Sequence, residues 1–511
     1  MSIEGFPILS ALILLPLAGV LPLLAVRDDD SARAVTFAVT FLTFLLSLPL
    51  YFGFDPHGGM QFVERLPWIE RYGISYYLGV DGLSLLLVML TTFLSPLCVL
   101  ACWRDITFRV RDFMICWLLL ETGLLGVFLS LDLFLFYVFW EFSLIPMYLI
   151  IGVWGSPARR VYSAVKFFIY TMVGSLLMLV AIMYLYFAHA RATGEYTFDL
   201  FRLYGTPLSF RAQCLMFLAF ALAFAIKVPM FPFHTWLPDA HTEAPTVGSV
   251  MLAAVLLKMG CYGFLRFAMP LFPQAFHQFA PLLIVLAIVG IIYGALVSLV
   301  QVDLKRLVAF SSVSHLGFCM LGVFALNLTS ATGGLLQMVN HGLSTGALFL
   351  CVGILYERRH TRLISEFGGI ARVMPLYAVL FGIVTFSSLG LPGLNGFVGE
   401  FLVLLGTFKA NWVYAAFAAT GVILAAWYLL WAFQRVMYGE VTKEENRGLP
   451  DLSKREFAVL ASVVLFIIWI GVYPKPFLQK IEPSVRHFIA QVQQAAPSQT
   501  AALKVNPERR M

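Results

Sequence analysis

Charged residues are scarce in this chain of 511 residues. Only 12% of the residues are charged, whereas 60% are hydrophobic and the mean hydropathy is +0.87. A soluble core of this length cannot hide so much apolar surface, which excludes an ordinary soluble protein. The net charge of +6 is spread over many loops and forms no single basic face. The composition therefore predicts a polytopic membrane protein and argues against a nucleic-acid-binding surface.

Cysteine motifs and nucleotide-binding loops are also missing. The seven cysteines lie in or beside apolar segments, and none forms a Cys-x-x-Cys pair. We interpret them as small hydrophobic residues without metal or disulfide roles. No glycine-rich loop stands between a strand pattern and a helix pattern. The sequence predicts no cofactor and no metal in this chain.

Apolar runs of about 20 residues, the length that a bilayer requires, predict an all-α fold with about fourteen membrane-spanning helices. The predicted spans are residues 7–26, 34–54, 77–102, 113–131, 133–153, 166–188, 214–233, 247–269, 282–301, 307–328, 333–356, 376–405, 412–434 and 456–473. An even count places both termini on one side. Lys and Arg are more numerous in the loops of the other side, and positive charge is retained in the cytoplasm, so we expect both termini outside.

Two of the predicted spans are interrupted by proline and glycine. One carries Lys227-Val-Pro-Met-Phe-Pro and the other Leu389-Gly-Leu-Pro-Gly-Leu-Asn-Gly. Proline removes a backbone donor and breaks a helix, and broken helices at a repeat interface are typical of transporters. Because five spans accompany each break, we predict two inverted five-helix repeats, against the alternative of two unrelated kinked helices. The predicted units are residues 1–112, 113–270, 280–438 and 439–511.

Ionisable side chains fall inside the predicted spans or at their ends, and a charge at the centre of a span costs about 2.5–3.5 kcal/mol. They are Glu121, Asp132, Glu141, Lys166, Lys227, Lys258, His315, His341 and Glu400. Burial disfavours the charged form of each group and an opposite charge restores it. A Lys227 that gains and loses Glu141 as a neighbour would bind and release a proton. Lys258, His315 and His341 could relay that proton, and Glu400 could accept it.

Each of these residues also has a plainer interpretation. Glu141 and Lys227 could form a structural ion pair, and the two histidines could be hydrogen-bonded core residues. Asp132 could cap a helix. The candidates for proton uptake, which are Lys166, His234, His241 and Asp132, could equally order loops. Metal binding by His234 and His241 is disfavoured, because prolines interrupt the helix between them and no third ligand is evident.

Four motifs together resemble the proton-translocating antiporter-like subunits of respiratory complex I. They are Lys227-Val-Pro with His234-Thr-Trp-Leu-Pro-Asp-Ala-His-Thr-Glu-Ala-Pro, Phe139-Trp-Glu-Phe-Ser-Leu-Ile-Pro, Ser311-Ser-Val-Ser-His-Leu-Gly and Gly396-Phe-Val-Gly-Glu-Phe. The resemblance extends over nearly the whole chain. Within the family it is similar to the M branch, because Glu400 stands where the sister branches typically have lysine and because the chain ends soon after the last span.

This resemblance implies roles for individual residues. Glu141 would modulate Lys227, Lys258 would be the central relay lysine, His315 and His341 would continue the relay, and Glu400 would be the outlet group. It also implies a bacterial inner-membrane location, where the charge count above places both termini on the periplasmic side, and partners that include sister antiporter-like chains of the membrane arm. NADH, FMN, iron–sulfur clusters and quinone would be bound by other subunits. Glu121 matches no role in the family.

Two other functions stay open from the sequence. A subunit of a multi-subunit cation/proton antiporter, or of a membrane-bound hydrogenase, would share the fold and differ in its partners. A passive membrane scaffold would use the buried charges for assembly only. Towards the end of the chain, Val485, Phe488, Ile489 and Val492 have helical spacing and predict a short amphipathic helix on the membrane surface or on a partner subunit. The tail from Ala495 onward is expected to be disordered.

Overall fold

A computed structural model describes residues 6 to 494, and most of them are helical. Twelve helices are long and apolar enough to cross a membrane, and shorter apolar helices cover Leu85–Ala101 and Pro375–Ser388. The twelve are Ile8–Ala25, Asp29–Gly53, Val110–Leu129, Leu133–Trp154, Arg160–Thr193, Phe210–Lys227, Thr246–Leu271, Pro273–Leu299, Leu304–Phe324, Leu328–Arg359, Trp412–Met437 and Lys454–Val472. The polytopic helical fold is confirmed, whereas the count of about fourteen spans stays a prediction. The tail from Ala495 onward lies outside the described residues.

Side-chain caps fix where many of these helices begin. A helix start leaves backbone N–H groups without partners, and a short polar side chain can accept from them. The capping residues are Asp28, Asp132, Asp199, Ser209, Asp303, Asn327, Asn411 and Ser453. These polar residues between apolar runs therefore act as boundaries that the sequence itself encodes.

The mostly helical fold also contains one β-hairpin, which the sequence did not predict. Strands Gln61–Ile69 and Ile74–Val80 form an antiparallel hairpin, with Gly73 at a φ of 66° in the turn. The predicted span at residues 77–102 therefore begins too early, since its helix begins at Leu85. The second strand carries tyrosine, leucine and valine, which satisfy a hydropathy window as well as a helix does.

Loops at the two ends of the bundle form separate hydrogen-bonded groups. At the end that carries the hairpin, Leu131 and Phe198 donate to hairpin carbonyls, and Gly82 donates to Ser484. At the opposite end, Arg33 donates to Ile106, Ser156 to Glu243, Arg362 to Thr242, Gly369 to Tyr438, and Arg358 to Pro450. We call these the hairpin end and the opposite end. Each connecting segment can be assigned to one side of the bundle by these contacts.

The last described helix, Lys475–Gln494, lies at the hairpin end. Its four residues with helical spacing, Val485, Phe488, Ile489 and Val492, are all buried. The predicted amphipathic helix is confirmed, and its apolar face packs on this chain. Gln493 donates to the carbonyl of Leu326, so the helix reaches the turn that precedes the helix Leu328–Arg359.

Both predicted helix breaks are present. The first broken helix comprises Phe210–Lys227 and Trp236–Glu243, and the second comprises Pro375–Ser388 and Asn395–Ala410. The first begins after the hairpin-end loop and ends where Glu243 accepts from Ser156 at the opposite end. The second begins where Asp451 accepts from Leu376, and its later half reaches Asn327 at the hairpin end. The two broken helices therefore run in opposite directions.

A second similarity links the two halves of the chain. Asp132 caps the helix Leu133–Trp154 and forms an isolated β-bridge with Asp199, which follows the next helix. Asp303 caps the helix Leu304–Phe324 and forms the same kind of bridge with Leu363, again after the next helix. This recurrence and the opposed broken helices support inverted repeats. The repeat boundaries at residues 113–270 and 280–438 stay a prediction.

We expect the two ends to face opposite sides of the membrane, with the opposite end in the cytoplasm because loops there hold the larger share of positive charge. Single cysteines at two exposed positions test this: His57→Cys at the hairpin end and Gly448→Cys in the loop after Met437. In right-side-out vesicles, a membrane-impermeant maleimide should label residue 57 at once and residue 448 only after permeabilisation. The unsubstituted chain, whose seven cysteines are buried or partly buried, is the control. Labelling in the reverse order would overturn the orientation.

Candidate functional site

Three helices form the enclosed centre of the bundle. The most apolar stretches of Thr246–Leu271, Leu304–Phe324 and Leu328–Arg359 are 100% buried, whereas that of the peripheral helix Trp412–Met437 is 33% buried. These three helices carry Lys258, His315 and His341. Since the chain itself encloses them, polar groups on these helices face protein and not lipid.

Lys258 is the lysine of this enclosed centre. Its side chain is fully buried, and Nζ lies 2.5 Å from the carbonyl oxygen of Ala253 and 2.5 Å from Nδ1 of His341. Two π-helical segments, Leu252–Leu256 and Phe264–Ala268, flank the turn that carries it. Such segments are often found at functional sites, because the wider turn frees backbone carbonyls. Lys258 therefore has one backbone partner and one titratable partner.

His341 leads from Lys258 to His315. The centroids of the two imidazole rings are 5.9 Å apart, so no direct hydrogen bond joins the rings. A cavity of about 10 Å³ lies between them and is also lined by Gln337, Asn340 and Ser344. This volume is close to the minimum that holds one water molecule. The second ring nitrogen of His341, Nε2, is buried and has no hydrogen-bond partner among the described residues.

Glu400 is the last member of a row of four titratable residues, Lys258, His341, His315 and Glu400, which we call the row. Its Oε1 lies 2.9 Å from Nδ1 of His315 and accepts from Nε2 of Gln337 at 3.0 Å. It stands on the second half of the second broken helix, the half that leads to the hairpin end. Gly390 in the break has a φ of 79°, and a Cβ there would be 3.2 Å from Oε2 of Glu400. The break thus brings backbone close to the carboxylate, and glycine provides the room.

Lys227 and Glu141 lie near each other without an ion pair. Lys227 is the last residue of the first half of its broken helix and is 1% exposed. Its Nζ stands 5.3 Å from the ring centroid of Trp140 and 5.6 Å from that of Phe167. Among residues 6 to 494 no salt bridge joins it to Glu141, whose Oε1 is buried without a hydrogen-bond partner. This conformation therefore contains no fixed structural ion pair between Lys227 and Glu141.

The two lysines stand on helices that meet at the first break. A Cβ at Gly260 would be 2.7 Å from the carbonyl oxygen of Phe224 and 2.9 Å from the backbone nitrogen of Val228. The backbone of the Lys258 helix therefore packs directly on the end of the helix that carries Lys227. No hydrogen bond connects the two ammonium groups within the described part of the chain.

Two of the predicted uptake residues already have firm partners. Nζ of Lys166 lies 2.7 Å from Oδ2 of Asp239, in the second half of the first broken helix. Asp132 accepts from the backbone nitrogens of Phe134 and Leu135 as a helix cap and from that of Ser75 in the hairpin. Burial raises the pKa of Asp132 to about 6, although these three bonds lower it.

The predicted histidines of the first break are buried and poorly satisfied. His234 is stacked on Phe231, and its Nδ1 has no partner among the described residues. His241 is fully buried with its ring 4.7 Å from that of Phe349, and neither of its ring nitrogens has a partner there. Buried polar atoms without partners are rare and point to a water or a function. Across residues 6 to 494, no group of three His, Cys, Asp or Glu side chains is placed to hold a metal.

Three further polar contacts lie outside the predicted row. Arg266 and Asp81 form a buried ion pair with Nη2 and Oδ1 2.5 Å apart. Lys305 donates to the carbonyl of Ala244, and Glu121 accepts from Ser95 at 2.8 Å. Arg266 stands inside a predicted span, so the criterion that selected Lys258 would have selected it too. Lys305 precedes its predicted span by two residues, and only the tertiary structure reveals its burial.

Two family models match the sequence. The model described as "NADH:quinone oxidoreductase/Mrp antiporter, TM" matches residues 130–425, and "NADH-ubiquinone oxidoreductase chain 4, amino terminus" matches residues 11–127. NADH-quinone oxidoreductase subunit M of Rhodobacter capsulatus is 48% identical over 497 residues, which are 94% of this chain and 96% of the relative. NADH-ubiquinone oxidoreductase chain 4 of Marchantia polymorpha is 44% identical over 484 residues, which are 94% and 97%.

Solved structures agree with these matches. A chain of respiratory complex I from Thermus thermophilus is 36% identical, with a TM-score of 0.86 over 95% of this chain and 99% of that one. A chain of the Mrp complex from Dietzia sp. has a TM-score of 0.81 at 21% identity, covering 95% and 99%, which shows a shared fold alone. The resemblance drawn from the motifs is confirmed. The chain belongs to the family of subunit M of NADH-quinone oxidoreductase and chain 4 of NADH-ubiquinone oxidoreductase.

Proposed function

We propose that this chain translocates protons across a membrane as a subunit of an NADH:quinone oxidoreductase. The observation that carries the proposal is the enclosed contact between Lys258 and His341, followed by the contact between His315 and Glu400. Imidazole titrates near neutral pH, and a buried amine or carboxylate can exchange protons with it because burial disfavours the charged form of each. Membership of the subunit M family indicates that the enzyme using such a row is an NADH:quinone oxidoreductase.

The row has a direction set by the two broken helices. The break at Lys227 continues into the segment that reaches the opposite end, and Glu400 stands on the segment that reaches the hairpin end. We therefore assign Lys227 to the cytoplasmic side of the row and Glu400 to the outlet. A proton that leaves Lys258 would pass to His341, cross the water-sized cavity to His315, and then reach Glu400.

Glu141 and Lys227 form the switch of this proposal. A carboxylate that approaches the buried ammonium stabilises its charged form, and a carboxylate that withdraws favours loss of the proton. In the structure Lys227 is instead flanked by the faces of Trp140 and Phe167, and Glu141 is half-buried beside Trp140. We assign this arrangement to the withdrawn state of the pair. Movement of Glu141 toward Lys227 would then load it.

A pump also needs an energy source, because moving one charge against 100 mV takes about 2.3 kcal/mol. We place NADH, FMN, the iron–sulfur clusters and the quinone in partner subunits and assign no electron-transfer step to this chain. Its partners would be other membrane-arm subunits, including sister antiporter-like chains. We further propose a bacterial inner-membrane location with both termini on the periplasmic side.

Two alternatives share the same fold. A subunit of a cation/proton antiporter or of a membrane-bound hydrogenase would be purified with different partners, so identification of the proteins that accompany a tagged chain separates these functions. A passive scaffold would keep the helices together through buried charges. The absence of an ion pair between Glu141 and Lys227 among the described residues speaks against that role, since a scaffold gains nothing from an unpaired buried carboxylate oxygen.

Lys258→Met should abolish pumping while leaving the complex assembled. Methionine is close to lysine in length and volume, so it fills the same buried space without the charge. A lost proton-transfer group lowers the rate by about 100-fold or more. The measurement is NADH-driven proton uptake by inverted vesicles, with assembly checked by native electrophoresis. Lys409→Met, which changes an exposed lysine at a helix end, is the matched control. Normal pumping by Lys258→Met would refute the row.

Glu141→Gln should separate a pump from a scaffold. Glutamine keeps the shape of the side chain but cannot bring a charge to Lys227, so we expect proton uptake and coupled NADH oxidation to fall by about tenfold or more. Glu444→Gln, at an exposed position of the opposite end, should leave both rates unchanged. If the assembled Glu141→Gln complex pumps at the rate of this control, the scaffold function is favoured.

A further inference from the structure

A group of titratable side chains that the proposed row does not use lies at the opposite end. Asp105 follows the helix Leu85–Ala101, and Glu357 lies in the last turn of Leu328–Arg359. Both carboxylates line one cavity of about 20 Å³, together with Thr246 at the start of the Lys258 helix. A cavity of this size holds one water molecule. Neither carboxylate forms a salt bridge or a side-chain hydrogen bond within residues 6 to 494.

Lys305 connects this cavity with the interior. Its side chain is 6% exposed, and Nζ donates to the carbonyl of Ala244, two residues before Thr246. Asp105 and Glu243 are among the charged groups within electrostatic reach of the ammonium, along with Asp303 and Arg362. One oxygen of Glu243, Oε2, is buried without a partner in the described structure. The lysine therefore contacts the segment that follows the first broken helix and lies within electrostatic reach of one carboxylate of the cavity, Asp105.

His241 continues from Lys305 to the centre of the bundle. It is the fully buried ring described above, with no partner on either nitrogen among the described residues. Lys305 and Lys258 are both within electrostatic reach of this ring. An imidazole with two free nitrogens can accept a proton on one and release a proton from the other. A fully buried imidazole with both nitrogens free and two amines within electrostatic reach has the chemistry that a relay requires.

We propose that protons enter the row at Asp105 and Glu357 and reach Lys258 through Lys305 and His241. This inference rests on the proposed function and adds a cytoplasmic uptake site that serves Lys258 by a route separate from Lys227. Hydronium in the cytoplasmic water gives a proton to a carboxylate of the cavity and becomes water, and the resulting carboxyl group transfers the proton to the neutral amine of Lys305. The ammonium passes it to one ring nitrogen of His241, and the opposite nitrogen of the imidazolium releases a proton to the neutral amine of Lys258. Each transfer breaks one bond to hydrogen and forms one, and no oxidant or reductant takes part.

The electrostatics of the outermost group agree with uptake. Burial raises the pKa of Asp105, while Lys305, Arg455 and His360 oppose that rise. A carboxylate with a raised pKa is protonated more often at neutral pH than an exposed one. Around Glu357 the other charged groups are Arg358, Arg455 and Glu456. Glu456 is already bound by Arg358 at 2.8 Å and caps its own helix, which leaves Asp105 and Glu357 as the free acceptors of the cavity.

The test compares three variants of the assembled enzyme in inverted vesicles across a range of external pH. Asp105→Asn combined with Glu357→Gln should slow proton uptake by about tenfold at neutral and alkaline pH, and the rate should recover in acid, where hydronium replaces the lost donors. The charge-conserving pair Asp105→Glu with Glu357→Asp should restore most of the rate. Glu440→Gln, an exposed carboxylate at the same end, is the control at every pH.

The outcomes are distinct from those that test the pump itself. If the neutral double variant pumps like the control while Lys258→Met does not, the uptake site is wrong and the proposed function stands. If Lys258→Met also pumps normally, both fail. An assembled double variant that loses activity equally at every pH would show a structural role and overturn the uptake site. If the double variant does not assemble, proton uptake by Lys305→Met is measured over the same range of external pH, and its dependence on pH decides in the same way.

Discussion

The structure depends on one constraint, which is that a lysine ammonium group must be held inside the membrane-spanning bundle without contact with lipid. A cation at that depth needs acceptors, because desolvation disfavours its charge. Lys258 finds them in a carbonyl of its own π-helical turn and in an imidazole from another helix. Both partners exist only because three helices are enclosed by the rest of the chain. The peripheral helices provide the apolar surface that faces lipid. The enclosed helices can therefore carry polar groups without exposing them to lipid.

The broken helices give this centre access to both faces of the bundle. An intact helix hides its backbone groups, whereas a break at proline and glycine exposes them where protein or water can satisfy them. Lys227 ends one half-helix, and Glu400 stands in the second turn of another that runs the opposite way. The aspartate caps Asp132 and Asp303, each with its β-bridge, mark equivalent places in the two halves. An ancestral unit used twice in opposite orientations would produce this arrangement.

The sequence reveals the spans and the candidate residues but not their pairing. Hydropathy locates most of the helices. It fails at the strand Ile74–Val80, because apolar residues that favour strands have the same hydropathy as those of an apolar helix. Lys258, His315, His341 and Glu400 stand out as charges in apolar runs. Their contacts join residues 83 and 85 positions apart, which only tertiary packing determines. For the same reason the sequence suggested Glu141 as the partner of Lys227 and did not indicate the aromatic faces that surround it.

The gaps in the row are as informative as its contacts. His341 and His315 are too far apart for a hydrogen bond, and no bond joins Lys227 to Lys258 among the described residues. A fully connected row from one face to the other would let protons flow back down their gradient, since nothing would separate uptake from release. A pump must instead close one contact while another is open. The interruption at the water-sized cavity lies between Lys258 and Glu400 on either uptake route, and we propose that this alternation takes place there.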